Sequence, residues 1–418
     1  MLRLLRSNKG FARFIISRFV HDLAVSATPI LLTLSVLQGG GSATSLAFVL
    51  GVGALPAVGG ALFSRWVTAR LTVRGVLIAS TLTWVFVMGV TGILKALGRT
   101  EFIWLIAISF ILELNAAIKY PALRSYVTRI VPKDDLQVAN SLRSLASGIA
   151  AISGPIIFSF AGSAIPMSIA WFILSGLLLF SLLPLKGLPK GEIVESEAPE
   201  PWVTEVRKGW QFFFRSPGIR TVVLTSGLWH LIGWSVILVS GPVILHDRGN
   251  LAAWGWVQAA ITAGMLAGAS LAGRIKVMRL PRFAVLGLCP ALVFGLLLSF
   301  SLPVFLLVAA AALVGFSLSI AGILWDTGIQ ANVPEEQLEV IFSFDYLFSE
   351  AFEPLGLLFV PILIALFASE IILLRYVSLA LLILLIVIAF LAPQKLTARS
   401  LSDSDNDLPL WVSNEPDD

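Results

Sequence analysis

Apolar runs follow one another along almost the whole chain. They fall at about 14–37, 44–66, 75–95, 102–126, 137–161 and 167–185, and again at about 218–246, 252–273, 283–301, 303–331, 337–368 and 371–392. A helix needs roughly 20 apolar residues to cross the hydrocarbon core of a bilayer, and each run approaches or exceeds that length. The pattern predicts an all-α membrane protein of twelve transmembrane helices. The division between the ninth and tenth runs rests on Leu302-Pro303 alone. Without that turn the count is eleven, and the two ends fall on opposite sides of the membrane.

Composition supports the same reading. Of 418 residues, 57% are hydrophobic and 13% charged, against about 25% charged in an ordinary soluble domain. A surface so poor in charge is suited to lipid. The basic start, MLRLLRSNKGFARF, has the character of a signal peptide. The segment after it carries Arg18, His21 and Asp22 and lacks a small-x-small cleavage site, so it reads as the first membrane helix. The single cysteine, Cys289, sits in an apolar run. A disulfide framework within the chain and a thiolate metal cluster are both excluded.

Lys and Arg set the expected orientation. With the N-terminus inside, cytoplasmic segments hold 22 basic residues and the opposite side only Lys95, Arg99, Arg248 and Arg375; Arg18, Lys119 and Arg143 fall inside helices. Both termini are therefore expected in the cytoplasm.

The chain divides at a polar connection in its middle. The expected domains are a six-helix half at 1–186, a linker at 187–217, a second six-helix half at 218–392 and a disordered Ser/Asp/Asn-rich tail at 393–418. Within the linker, Trp202, Val206, Trp210, Phe213 and Phe214 share one helical face, which reads as an interfacial helix over 201–215. The halves also repeat weakly. VPKDDLQVANSLRSL at 131–145 echoes VPEEQLEVIFSFDYL at 333–347 at an offset of 202. Gly40, Arg65 and His21 match Gly249, Arg274 and His230 at an offset of 209. Such repeats mark a duplicated six-helix unit.

Several segments carry a family resemblance. They are ARFIISRFVHDLAVSATPILL, GGGSATSLAFVLGVGALPAVGGALFSR, VPKDDLQVANSLRSLASGIAAISGP, VTEVRKGWQFFFRSP, NLAAWGWVQAAITAGMLAGASLAGR and LWDTGIQANVPEEQLEVIFSFDYL. The chain resembles the major facilitator superfamily over about residues 10–395. Within it, the chain is similar to the bacterial drug and siderophore exporter branch, which contains macrolide-efflux and enterobactin-exporter-like proteins. The resemblance implies two pseudo-symmetric halves in a bacterial inner membrane, a small-molecule substrate and the proton motive force in place of a bound cofactor. Two family patterns are degraded. The loop after the second helix keeps Gly60 and Arg65 but lacks the expected acid. The fifth helix keeps Gly154-Pro155 but has Phe158 and Ser159 where paired glycines are expected.

The apolar background exposes the residues that do not belong in it. A charge at the bilayer centre costs roughly 2.5–3.5 kcal/mol on insertion scales, so each one needs a partner or a purpose. One set lies near mid-membrane: Asp22, Glu113, His230, Glu350 and Glu353. The resemblance implies that their helices line the cavity. A carboxylate away from water is poorly solvated in its charged form and can exchange a proton near neutral pH. Glu350 and Glu353 lie three apart on one helix face, and Pro354 follows at once. The second set lies toward the cytoplasmic side: Arg18, Lys119, Arg124, Arg143, Asp326 and Asp345. The offset of 202 aligns Arg124 with Asp326 and Arg143 with Asp345, basic in one half and acidic in the other, as a gate closed by ion pairs requires. Plainer readings stand beside these. Arg18 and Asp22 are four apart and can pair within one helix, and His21 and His230 can be satisfied packing residues.

No Walker phosphate loop or serine-nucleophile or zinc-protease signature is present, which argues against ATP as fuel and against an intramembrane enzyme. The expected function is proton-coupled export of a small amphipathic solute, drug-like or siderophore-like, by alternating access. Uptake, facilitated diffusion and a transporter-like sensor remain as alternatives. The expected partners are the substrate, protons and lipid, without nucleic acid or a bound metal, and the chain is expected to be a monomer.

Overall fold

The computed structural model describes residues 2–68, 72–99, 102–132, 135–186, 213–272, 275, 279–333, 341, 345, 352–393 and 396. The described chain is helical throughout. A short α1 (Leu2–Ser7) leads into α2 (Lys9–Leu37), α3 (Ala43–Thr68), α4 (Val73–Ala96), α5 (Phe102–Ile130), α6 (Leu136–Ala164) and α7 (Met167–Leu185). Later come α8 (Pro217–Leu228), a π-helical turn (Trp229–Trp234) and α9 (Ser235–Asp247), which together form one long span. They are followed by α10 (Ala252–Ala272), α11 (Leu280–Leu286), α12 (Cys289–Leu298), α13 (Val304–Asn332), α14 (Phe352–Phe367) and α15 (Glu370–Leu391).

Among the described residues, ten helical spans are long and apolar enough to cross a membrane, with shorter apolar helices at Ala43–Pro56 and Phe352–Phe367. The twelve runs of the sequence thus correspond to helices of a multi-pass membrane protein. The doubtful division at Leu302-Pro303 is present. Ser299 caps α12, and Pro303, extended at ψ 141°, precedes the first turn of α13. The interfacial helix expected at 201–215 lies outside the described residues except for its last turn.

Local chemistry starts several helices. The Asn8 side chain accepts from the backbone N–H of Phe11 at 2.9 Å, and Thr72 Oγ1 accepts from Gly75 at 3.2 Å. Each bond satisfies one of the first N–H groups, which have no intrahelical acceptor. Helix ends repeat as well. Gly40 and Gly249, the pair aligned by the 209 offset, both take the left-handed region, at φ 81° and 69°. At the first, Gly40 donates to Leu37 O and Gly41 to Val36 O; at the second, Gly249 donates to His246 O and Asn250 to Leu245 O. These are the same two reverse bonds, the Schellman arrangement, in which a glycine carries the positive φ that other residues avoid.

The chain gathers into two compact units. The first comprises residues 1–197, 239–262 and 357–364. In it, α3 packs on α5, α2 on α6 and α7, and α4 on α7. Backbones approach closely at small residues, as expected where helices pack in lipid. Gly53 lies against Ser109, and Gly154 against Ser26 and the carbonyl of Leu23. The second unit comprises residues 198–238, 263–356 and 365–418. There α12 packs on α15 and α13, and α11 on α15, α13 and α8. Large apolar side chains such as Phe86, Phe305, Leu366 and Phe390 are exposed, as suits a lipid-facing surface.

Candidate functional site

The first unit holds a buried polar network in an otherwise apolar bundle. The long amphipathic pattern of α2 places Ser17, Arg18, His21 and Asp22 on successive turns, between the buried rings of Phe11 and Phe14 and the apolar stretch from Ala24 onward. Arg18 Nε lies 2.8 Å from Asp22 Oδ2, one turn along the same helix. The Nε–H is not aligned on that oxygen, so the contact is an ion pair and not a directed hydrogen bond. Ser147 Oγ, from α6, donates to the same Oδ2 at 2.6 Å. The carboxylate is thereby fixed on one oxygen by two elements.

A second pair lies beside the first. Lys119 of α5 is buried, and its Nζ reaches His21 Nε2 at 2.5 Å. Across the ring, His21 Nδ1 makes a long 3.5 Å contact with Thr81 Oγ1, whose hydroxyl donates to Leu77 O at 2.9 Å. Trp84 stands edge-on to the imidazole, with centroids 6.2 Å apart. A small cavity with room for about one water (≈ 20 Å³) is lined by Phe14, Ser17, Arg18, His21, Leu77, Thr81, Lys119 and Leu185. Next to this group, Asn115 Oδ1 accepts from Ser80 Oγ at 2.5 Å and from Trp84 Nε1 at 2.9 Å.

The remaining expected residues are dispersed. Glu113 is exposed on α5, about 120° around the helix from Lys119. Arg143 is half-buried on α6, and Asp326 is exposed on α13. Asp345 Oδ1 accepts from Trp325 Nε1 at 3.1 Å. Glu350 and the side chain of Arg124 lie outside the described residues. The structure therefore joins Arg18 to Asp22 and Lys119 to His21, within one unit. Thr81, Asn115 and Ser147 were missed in the sequence because Ser and Thr are common in apolar helices. Asn115, an amide in the middle of an apolar run, was the one visible signal.

In the second unit, His230 and Glu353 meet a different structure. The helix widens to a π turn at Trp229–Trp234, where the indole rings of Trp229 and Trp234 stack with centroids 5.3 Å apart. His230 Nδ1 faces Ser226 O of its own helix at 3.0 Å. Ser235 Oγ contacts the carbonyl oxygens of His230, at 2.7 Å, and of Glu353, at 3.2 Å. Gly356 makes the contact possible, since a Cβ there would stand 2.2 Å from Leu231 O. Single π turns inside α-helices occur often at functional sites.

The profile of the Major Facilitator Superfamily matches residues 14–349. The chain belongs to that superfamily, and it is a membrane transporter of small molecules and not an enzyme. Comparison with curated proteins by sequence finds no match. Solved structures share the fold. The nucleoside transporter NupG aligns at TM-score 0.71 and 14% identity over 91% of this chain and 97% of its own. A POT family transporter in complex with 5-aminolevulinic acid aligns at 0.69 and 10% identity, over 93% and 96%. A bacterial homologue of the human lysosomal transporter Spinster, inward-facing and unoccupied, aligns at 0.66 and 13% identity, over 93% and 97%.

Proposed function

We propose that this transporter is a proton-coupled exporter of a small amphipathic molecule that works by alternating access. The observation that carries the coupling is the Asp22 carboxylate, buried in the bundle and held on Oδ2 by Arg18 and Ser147. A carboxylate in such a place is retained at a cost in stability unless it has work to do. Proton exchange is work suited to it. When Asp22 is ionised it attracts Arg18; when it takes a proton, that attraction is lost. The two states differ in electrostatic energy, which gives proton binding a grip on the bundle. The resemblance of the α2, α6 and α10 segments to drug and siderophore exporters supplies the direction.

Reconstitution into vesicles tests the reading. A panel of fluorescent amphipathic compounds is followed under an imposed pH gradient, with a proton indicator on the far side. Movement of a compound against its own gradient, with counter-movement of protons, is expected for the wild type. Asp22→Asn is expected to abolish uphill movement while leaving downhill exchange. Uphill transport in the Asn variant at the wild-type rate would remove Asp22 from the coupling.

A further inference from the structure

We propose that His21 and Lys119 form a second proton-binding site, which holds one proton between two nitrogens and releases it in response to Asp22. The existence of the site follows from the geometry; its place in transport rests on the proposed proton coupling.

A charged lysine carries only donors. At 2.5 Å its Nζ–H must meet the lone pair of His21 Nε2, so the ring hydrogen stays on Nδ1, toward Thr81 Oγ1. Thr81 can accept it because its own hydroxyl hydrogen goes to Leu77 O. The bonds thus run in one direction from Lys119 to the α4 backbone. Moving the proton from Nζ to Nε2 preserves every contact. A second proton does not, for it sets two N–H groups head to head across 2.5 Å. The pair therefore binds one proton as a unit.

Among the described residues the charged and titratable neighbours are few. Lys119 faces His21 from α5, and Arg18 and Asp22 lie on its own helix. Among the described residues α4 offers only Thr81 and Trp84 to the ring, α7 contributes Leu185 to the cavity, and Ser147 of α6 is committed to Asp22. Arg18 joins the two sites. It pairs with Asp22 and lines the same cavity as His21 and Lys119. While Asp22 is ionised, it cancels the field of Arg18 at the pair. Once Asp22 is protonated, its negative charge no longer offsets that field, and the shared proton is held less tightly. The balance is one proton bound at Asp22, with the O–H bond formed there, and one N–H bond broken at the pair, its proton passing to a water molecule in the cavity. A proton enters and another leaves, with Arg18 fixed between them.

Titration by nitrogen NMR tests this without any substrate, so it is independent of the transport assay. The chain has only three histidines, His21, His230 and His246, and His230→Gln and His246→Gln isolate the first. In protein labelled at His and Lys side-chain nitrogens and held in lipid nanodiscs, the His21 and Lys119 signals are expected to move together at one midpoint. Asp22→Asn removes the charge that cancels Arg18 and should shift that midpoint to lower pH by about one unit or more. Arg18→Gln leaves Asp22 facing the pair and should shift it to higher pH. The opposite signs cannot come from a general loosening of the fold. Separate midpoints for the two residues, or shifts of the same sign in both variants, would overturn the proposal.

Discussion

Ser147 on α6 and Asp22 on α2 are 125 residues apart in sequence and 2.6 Å apart in the fold, and the oxygen they share is the one that Arg18 approaches. Two groups thus converge on one carboxylate oxygen. Removing the carboxylate charge leaves a guanidinium in a poorly solvated place. A fully buried pair broken in this way costs about 3–5 kcal/mol. The side chains here retain 18% and 11% exposure, so about 1–3 kcal/mol is expected for Asp22→Asn once partial screening is allowed for. Arg18→Gln combined with Asp22→Asn should recover part of the loss. Thermal unfolding of the two single variants and the double variant in one detergent measures the coupling. Additive losses would show that the ion pair contributes nothing.

Asn115 offers a second test, on a neutral bond. Its Oδ1 accepts from both Ser80 and Trp84, and its Nδ2 contacts Ser80 O at 3.4 Å. Asn115→Ala leaves the Trp84 indole N–H, in a largely buried residue, without its acceptor. The expected loss is about 1–3 kcal/mol, read as a lower unfolding temperature. Trp84→Phe should cost less in the Ala background than in the wild type, because the N–H it removes is already unsatisfied and only the lost ring volume remains.

How much of this was legible beforehand depends on the kind of signal. Helices announced themselves because hydrocarbon demands unbroken apolar length, and even the doubtful turn at Leu302-Pro303 appears between α12 and α13. Charges stood out against that background, so Arg18, Asp22 and Lys119 were visible as exceptions. Their partners were not. Spacing of four can suggest Arg18 with Asp22, but no local rule joins His21 to Lys119 across 98 residues. Depth alone does not fix a side chain's surroundings: Lys119 and Glu113 share α5, yet the first is buried and the second exposed. The π turn was invisible because one inserted residue in an apolar run leaves no break in composition.

That π turn makes its own prediction. Ser235 is fully buried, and its hydroxyl lies near two carbonyl oxygens, His230 O within the widened turn and Glu353 O on the neighbouring helix. One hydrogen cannot serve both at full strength, and the shorter contact, at 2.7 Å, is to His230. Ser235→Ala removes the hydroxyl donor while His230 O keeps the backbone N–H of Ser235, so the expected cost is that of one net hydrogen bond, about 0.5–1.5 kcal/mol. Ser235→Thr keeps the hydroxyl and should lie closer to wild type unless the added methyl clashes. Unfolding temperatures of the pair check this; equal losses in Ala and Thr would assign the effect to packing and not to the hydrogen bond.

Glycine at helix contacts separates backbone clash from mere helix propensity. At Gly264 an added Cβ would stand 1.9 Å from Ala312 O and 2.9 Å from Phe316 N, both backbone atoms that cannot rotate away. The facing helices α10 and α13 must then separate, and overpacking of this kind costs about 1–3 kcal/mol or more. Gly176, inside α7, has nothing within 4 Å of the same position. There the methyl meets open space, and alanine's better helix propensity is worth up to about 1 kcal/mol in the favourable direction. Gly264→Ala should therefore lower the unfolding temperature while Gly176→Ala leaves it unchanged or raises it. The same substitution, made in two apolar helices of one protein, then differs in sign only because of what lies beyond the Cβ. Equal effects at both positions would mean that α10 and α13 do not meet as closely as Gly264 and Ala312 place them.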